Sequence, residues 1–319
     1  MRMTPSLLHR GMRIRWNVKT YFGYKLPRSI LFLCVAWPVA VAANDVEPRL
    51  YANIPTGTNF LSLGYAQSSG EVSFDSSIPA SDVEGEIDSI VLRYSRALSV
   101  ANKSALLTIA VPYADVFLEG IYLGQPASGQ RQGMGDPIVR LAVNLYGAPA
   151  MTRAEFRSYE QKTIVGASIA VGIPVGRYVK ERIINVGTNR WTVLAQLGIS
   201  HSVRRWTFEA GLGFAWFSDN EEFLGTTLEQ DPIGLFRSTL LYSFKPGLWL
   251  SAGFLYAHGG DTRANGVQRD DRLQNWRTGV AISIPLARGH NLQLRATEGI
   301  RSRIGSDFRT YAASYTYTF

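Results

Sequence analysis

The chain predicts an all-β fold: a single antiparallel transmembrane β-barrel of about twelve strands, of the outer-membrane type. Three observations predict it. Apolar residues alternate with small or polar ones at period two, in segment after segment. Short and long connections between those segments take turns along the chain. The chain ends on TYAASYTYTF, with Tyr311, Tyr315, Tyr317 and Phe319 on one face and Thr310, Ala312, Ser314, Thr316 and Thr318 on the other.

At the N-terminus the pattern is different. The formal net charge of +8 suggests a polyanion binder, but the charge is unevenly placed. Arg2, Arg10, Arg13, Arg15, Lys19, Lys25 and Arg28 precede residue 44, with no acidic residue among them, and without them 26 basic residues face 25 acidic ones. The remainder is near neutral, so a polyanion-binding reading loses its main support and no nucleic-acid partner is expected. The basic residues lead into SILFLCVAWPVAVAA, a short apolar run ending in small residues. This is the pattern of a cleaved secretory signal over residues 1–43, cut after Ala42 or Ala43. A membrane anchor would need a longer run, uninterrupted by Pro38. Cys34, the only cysteine, lies within this run, so the mature chain has no disulfide, thiolate or cysteine metal site.

Residues 44–57 are expected to form a short periplasmic segment, and 58–319 the barrel. The predicted strands are 58–67, 87–98, 103–114, 137–147, 160–173, 190–201, 204–217, 233–244, 247–258, 274–286, 290–299 and 308–319. In the seventh, Trp206, Phe208, Ala210, Leu212, Phe214 and Trp216 alternate with Thr207, Glu209, Gly211, Gly213 and Ala215. Aromatic residues stand at both ends of that apolar face, as in an interfacial girdle. In the tenth, Trp276, Val280, Ile282, Ile284 and Leu286 oppose Asn275, Arg277, Gly279, Ala281 and Ser283.

The joins SVANKSA, HSVRRW, FKPG and ARGHN are tight and belong to the inner side. Most others, such as 68–86, 117–136, 173–188, 218–232 and 259–271, are long and belong to the outer side. Two joins break the rule: the inner join 148–160 is long and the outer join 301–307 is short. A soluble sandwich or lipocalin-like barrel is the competing fold; its apolar faces would point inward, and aromatics would not gather at strand ends.

The stretches EPRLYANIPTGTNFL (47–61), GMGDPIVRLAVNLYGAPA (133–150), QKTIVGASIAVGIPVGRY (161–178), NVGTNRW (185–191), EQDP (229–232) and IGSDFRTY (304–311) carry a resemblance. The mature chain resembles the outer-membrane family named for the MetA pathway of phenol degradation. The resemblance implies a β-barrel that brings aromatic or hydrophobic compounds across the outer membrane.

Alternation assigns Arg93, Arg140, Glu209, Arg237, Arg277 and Arg295 to the lumen side. Two roles are open to them. They could favour anions or orient phenolates and aromatic carboxylates, or pair with Glu209, loop acids and backbone carbonyls to fill a narrow barrel. Small lumen residues, Gly166, Gly198 and Gly211 among them, either leave room for a solute or let the sheet bend. Asp136, Asn189 and Asp231 form a strand-end motif, expected to start strands and cap turns, with a ligand role as the alternative.

Catalysis finds no support. His9 lies in the signal, His201 and His290 at inner turns, and His258 near an outer rim without a suitable serine. HExxH, cysteine clusters and phosphate loops are absent, so neither cofactor nor metal is expected. The segment before the first strand is too short for a plug domain of the energy-coupled kind, which makes passive diffusion the default; EPRLYANIPTG could instead tuck into the barrel and narrow it. The expected partners are membrane lipid and lipopolysaccharide, small aromatic or hydrophobic solutes, and a barrel-assembly machinery that reads the terminal Phe319. The rival function is a structural or adhesive barrel with a blocked lumen whose surface loops bind a partner.

Overall fold

The computed structural model describes residues 48–73, 80–182 and 184–319; the predicted signal, 1–43, lies outside them. The strands are β1 (Asn59–Ser73), β2 (Ala80–Val100), β3 (Lys103–Tyr122), β4 (Gln125–Met134), β5 (Ile138–Tyr146), β6 (Thr163–Gly172), β7 (Thr192–Val203), β8 (Trp206–Phe217), β9 (Asn220–Phe223), β10 (Thr226–Gln230), β11 (Ile233–Lys245), β12 (Leu248–Gly259), β13 (Thr262–Ala264), β14 (Val267–Gln268), β15 (Leu273–Ala287), β16 (His290–Arg301) and β17 (Gly305–Thr318). Twelve of them close into an antiparallel ring, β1-β2-β3-β5-β6-β7-β8-β11-β12-β15-β16-β17, with β17 returning to β1. These are the twelve predicted strands.

The closing seam runs the length of β1. Phe60 pairs with Thr318 at one end and Ser73 with Gly305 at the other. Beyond it, Asn59 and Phe319 exchange backbone hydrogen bonds of 2.9 and 3.0 Å. No edge of the barrel is left to present unpaired N–H and C=O groups to lipid, where each would cost several kcal/mol.

The two faces of the wall differ as the alternation requires. On β8, Phe208 and Leu212 point outward and are 54% and 57% exposed, whereas Ala215 points inward and is fully buried. Tyr315 is exposed on the outside of β17. The outward aromatics fall into two belts. Trp206, Tyr242 and Phe244 pack edge to face near the inner rim, at 4.8 and 4.9 Å between centroids. Phe236, Phe254, Trp276 and Tyr256 form a chain of contacts toward the outer rim. Trp206 and Trp216 bracket the apolar face of β8. Ten residues at ~3.3 Å each, tilted by ~40°, span roughly 25 Å, the height of an outer-membrane apolar band.

Some strands outrun their predicted ends. β2 begins at Ala80 rather than at 87, and β3 continues to Tyr122 rather than stopping at 114. Past the lipid band the outward face no longer has to be apolar, so Glu84, Glu86 and Glu119 replace the greasy residues. The inward face stays apolar: Val72, Ile87, Val116, Leu118 and Phe308 pack into a cluster there. β4, which pairs with this extension of β3, lies in the predicted outer loop 117–136. Its sequence, QPASGQRQGM, has no apolar alternation to betray it. Parts of the outer loops 218–232 and 259–271 likewise form a small sheet, β14-β13-β10-β9.

The long inner join also has a physical reason. It contains a short 3-10 helix, Glu155–Ser158. The Glu155 carboxylate accepts bonds from the Thr152 N–H at 2.7 Å and the Thr152 hydroxyl at 2.9 Å, which holds its pKa below the usual carboxylate value. The Met151 carbonyl accepts from the Thr56 N–H at 2.8 Å and the Pro149 carbonyl from the Asn53 side chain at 3.4 Å. The join is a shelf for the segment that precedes β1.

Because Leu212 faces lipid near mid-height, Leu212→Arg should destabilise the barrel by ~2–4 kcal/mol in urea unfolding from lipid vesicles. A soluble barrel would tolerate a charge at so exposed a position, with a change near zero.

Candidate functional site

Tyr51 stands at the centre of the site, and the residues before β1 bring it there. Gly57 and Thr56 are tied to the inner rim through the carbonyls of Ala97 and Met151. From that anchorage the chain passes into the barrel, where Tyr51 is only 4% exposed. It packs with Ala142, Ala148 and Ile164. Its ring lies over Gly166 and Gly198, inward-facing residues of β6 and β7: a Cβ at Gly166 would come within 2.1 Å of Cδ1, and one at Gly198 within 2.4 Å of Cε2. The guanidinium carbon of Arg237 is 5.9 Å from the ring centroid. The Arg49 N–H donates to Oε2 of Glu209 at 2.8 Å. The Tyr51 hydroxyl is buried and has no hydrogen-bond partner.

The register builds the floor beneath this ring. Gly166 pairs directly with Gly198, Gly198 with Gly211, and Gly211 with Arg237. None of these glycines has a positive φ, so the backbone does not demand glycine; at Gly166 and Gly198 the space under the Tyr51 ring does, and at Gly211 the nearest side chain is Arg237. Glycine within a strand costs ~0.5–1 kcal/mol relative to alanine, and a row of them is the mark of a close approach from the lumen.

All six charged residues predicted for the lumen side lie on inward-facing positions, but at different heights and around the whole ring. Glu209 and Arg237 meet at the Tyr51 site, where Glu209 feels the charges of Arg237 and Arg49 and its Oε1 lies 3.4 Å from the Ser200 hydroxyl. Arg277 is placed opposite Leu255 and donates to the Phe308 carbonyl at 2.9 Å, farther out. Arg93 pairs with Ser62 and Ala110, Arg140 with Thr108 and Ala170, and Arg295 with Ala281 and Ala312. The wall mixes apolar and polar lining. From β6 to β12 an apolar cluster of Ala170, Leu194, Ala215, Leu235, Leu255 and Ala257 lines it. Across from it, hydroxyls pair between strands at 2.8 Å: Ser62 with Thr316, Ser68 with Thr310, Ser95 with Thr108.

The strand-end residues lie apart from Tyr51, at the outer rim. Asp136 is buried; one oxygen accepts from the Gly176 N–H at 2.8 Å, the other from the Thr188 N–H at 2.8 Å and its hydroxyl at 2.5 Å. Asn189, with φ of 54°, donates to the Asn220 side chain at 2.9 Å. Asp231 accepts from Arg263 at 3.1 Å. These contacts fasten outer loops to strand ends.

Sequence reasoning missed Arg190, Arg131, Arg177 and Arg182. Arg190 is buried, with its guanidinium 4.5 Å from the centre of the Phe217 ring and donating to Gln230 at 2.5 Å. Burial first, then the charges of Arg182 and Arg177, pull the Arg131 pKa below the ordinary arginine value. Three arginines thus gather near the outer mouth, on segments with no strand periodicity from which to read a facing direction.

Taken together, a closed wall with lipid-compatible grease outside and a charged, hydroxylated lining inside defines an outer-membrane-type β-barrel. The chain belongs to the family described as "Putative MetA-pathway of phenol degradation", whose model matches residues 65–315. No curated protein matches it. Among solved structures it is similar to the COG4313 outer membrane channel from Pseudomonas putida F1, with a TM-score of 0.75 at 21% identity over 86% of this chain and 100% of that one. It is also similar to the transport unit of the autotransporter AIDA-I from Escherichia coli, with a TM-score of 0.51 at 12% identity over 88% of this chain and 96% of that one. Both likenesses are of fold.

Removing the Asp136 side chain should loosen the outer loop it fastens. Asp136→Ala leaves the Gly176 and Thr188 N–H groups without their acceptor, at ~1–3 kcal/mol for each that stays buried, while the Thr188 hydroxyl keeps the Arg190 carbonyl. Trypsin should then cut at Arg177, Lys180 or Arg182 at least tenfold faster than in the parent, by a cost of ~1.4 kcal/mol or more, while the barrel itself resists.

Proposed function

We propose that this protein resides in the outer membrane of a Gram-negative cell and lets small aromatic or hydrophobic compounds pass through it passively, without enzymatic chemistry. The observation that carries the reading is the mixed inner wall: apolar clusters on β6–β12 and on β1–β3 and β17 stand beside paired hydroxyls and inward arginines. A phenol or aromatic acid has the same mixed character, with an arene for the leucines and an oxygen for the guanidinium groups. Family membership and the likeness to an outer membrane channel support the reading. Lipid and lipopolysaccharide surround the barrel in this account, and assembly begins from the exposed terminal Phe319.

The presence of residues 48–57 within the barrel favours a second reading, a structural or adhesive barrel whose lumen is blocked. Proteoliposome swelling separates the two. The channel reading expects swelling severalfold faster in 4-hydroxybenzoate than in a sugar of similar size; no swelling in either solute would favour the blocked barrel.

The arginines set a further expectation. Arg140→Gln, Arg237→Gln and Arg277→Gln should each move the zero-current potential of single channels in a salt gradient toward cation preference. Unchanged preference in all three leaves them only a packing role.

A further inference from the structure

The glycine row across β6, β7 and β8 is a slot for an aromatic ring, and we propose that it binds free phenol-type solutes in exchange with Tyr51. The proposal rests on the channel reading and adds to it the place where a solute docks and the element it displaces.

Three observations converge on the slot. Gly166, Gly198 and Gly211 are direct cross-strand neighbours; the missing side chains of the first two leave a floor that the Tyr51 ring covers, and the Arg237 side chain lies nearest the third. Arg237, the next residue in the row, sets a cation 5.9 Å from the ring centre, which favours a π-face over an aliphatic ring of the same size. The Tyr51 side chain is more than nine-tenths buried, yet its hydroxyl has no hydrogen-bond partner. The ring fits and the phenol oxygen does not, so the resident occupant forgoes a bond that another phenol could make.

A free phenol can make that bond. Glu209 and Ser200 are the inward-facing residues next to Gly211 and Gly198 on their strands. Oε2 of Glu209 now accepts the Arg49 N–H. A phenol in the slot replaces both contacts of the segment at once: its ring takes the place of Tyr51, and its O–H takes the place of the Arg49 N–H on Glu209. The segment remains tethered at Thr56 and Gly57, so it can leave the slot and return without leaving the protein.

p-Cresol, the tyrosine side chain without its backbone, tests this on the protein in planar bilayers. The parent should gain conductance saturably with p-cresol as the segment is displaced. Tyr51→Ala should conduct severalfold more from the outset, and p-cresol should now produce discrete partial blockades. In the Tyr51→Ala background, Gly198→Val and Gly166→Ala should each abolish the blockades, and 4-methylcyclohexanol should produce none. Heat-modifiable migration on gels confirms folding of each variant, and Gly198→Ala replaces Gly198→Val if the larger side chain prevents it. Blockades that survive the glycine substitutions, that 4-methylcyclohexanol matches, or that never occur in Tyr51→Ala overturn the slot. Swelling in 4-hydroxybenzoate with no slot dependence leaves the channel reading standing and removes this inference; blockades without swelling do the reverse.

Discussion

Everything in this fold depends on the pairing of the first strand with the last. Within hydrocarbon no water can satisfy a backbone N–H or C=O, so a sheet is viable there only as a ring. The β1–β17 ladder completes that ring, and the paired Asn59 and Phe319 finish it at the rim. Closure with an even number of antiparallel strands puts both chain ends on one side. The residues before β1 therefore arrive at the inner mouth, and the turn at Pro55–Thr58 sends them into the barrel instead of away from it.

With the backbone satisfied, the side chains are free to divide by solvent. Outside, large apolar groups meet lipid and two aromatic belts meet the interfaces. Inside, polar groups find each other across neighbouring strands, as the paired hydroxyls of Ser62 and Thr316 do. The lining is not uniform, because a strand's inward positions can be polar or apolar without affecting its outward face. That freedom permits leucine-rich clusters, paired hydroxyls and arginines in the same ring.

The barrel strands were legible in the sequence because two solvents impose period-two patterning on every one of them. β8 shows it plainly: Trp206 to Trp216 outside, Thr207 to Ala215 inside. Legibility ended where lipid ended. The outer part of β3 and the whole of β4 carry Glu119, Gln130 and Gln132 on a water-facing surface, which leaves no apolar stripe to read. The inward direction of Arg237 and Glu209 could be read from parity alone. Their meeting with Tyr51 could not, since it joins residues about 160 to 190 positions apart through a register the sequence does not state. The signals that remained were indirect: glycines in strand interiors, and an aromatic residue in a segment too short to fold alone.

The inner join with its shelf gives the lumen a property that loose solutes lack. Tyr51 hangs from Gly57 by six residues, a leash short enough to keep its ring at a local concentration of the order of millimolar beside the wall. A visitor of equal intrinsic affinity would have to reach that concentration to claim half the occupancy. Traces of aromatic material would leave the leash in place, and abundance would lift it. A threshold of this kind is set by chain length, so adding or removing residues between Thr56 and Tyr51 would retune it with no change in the wall.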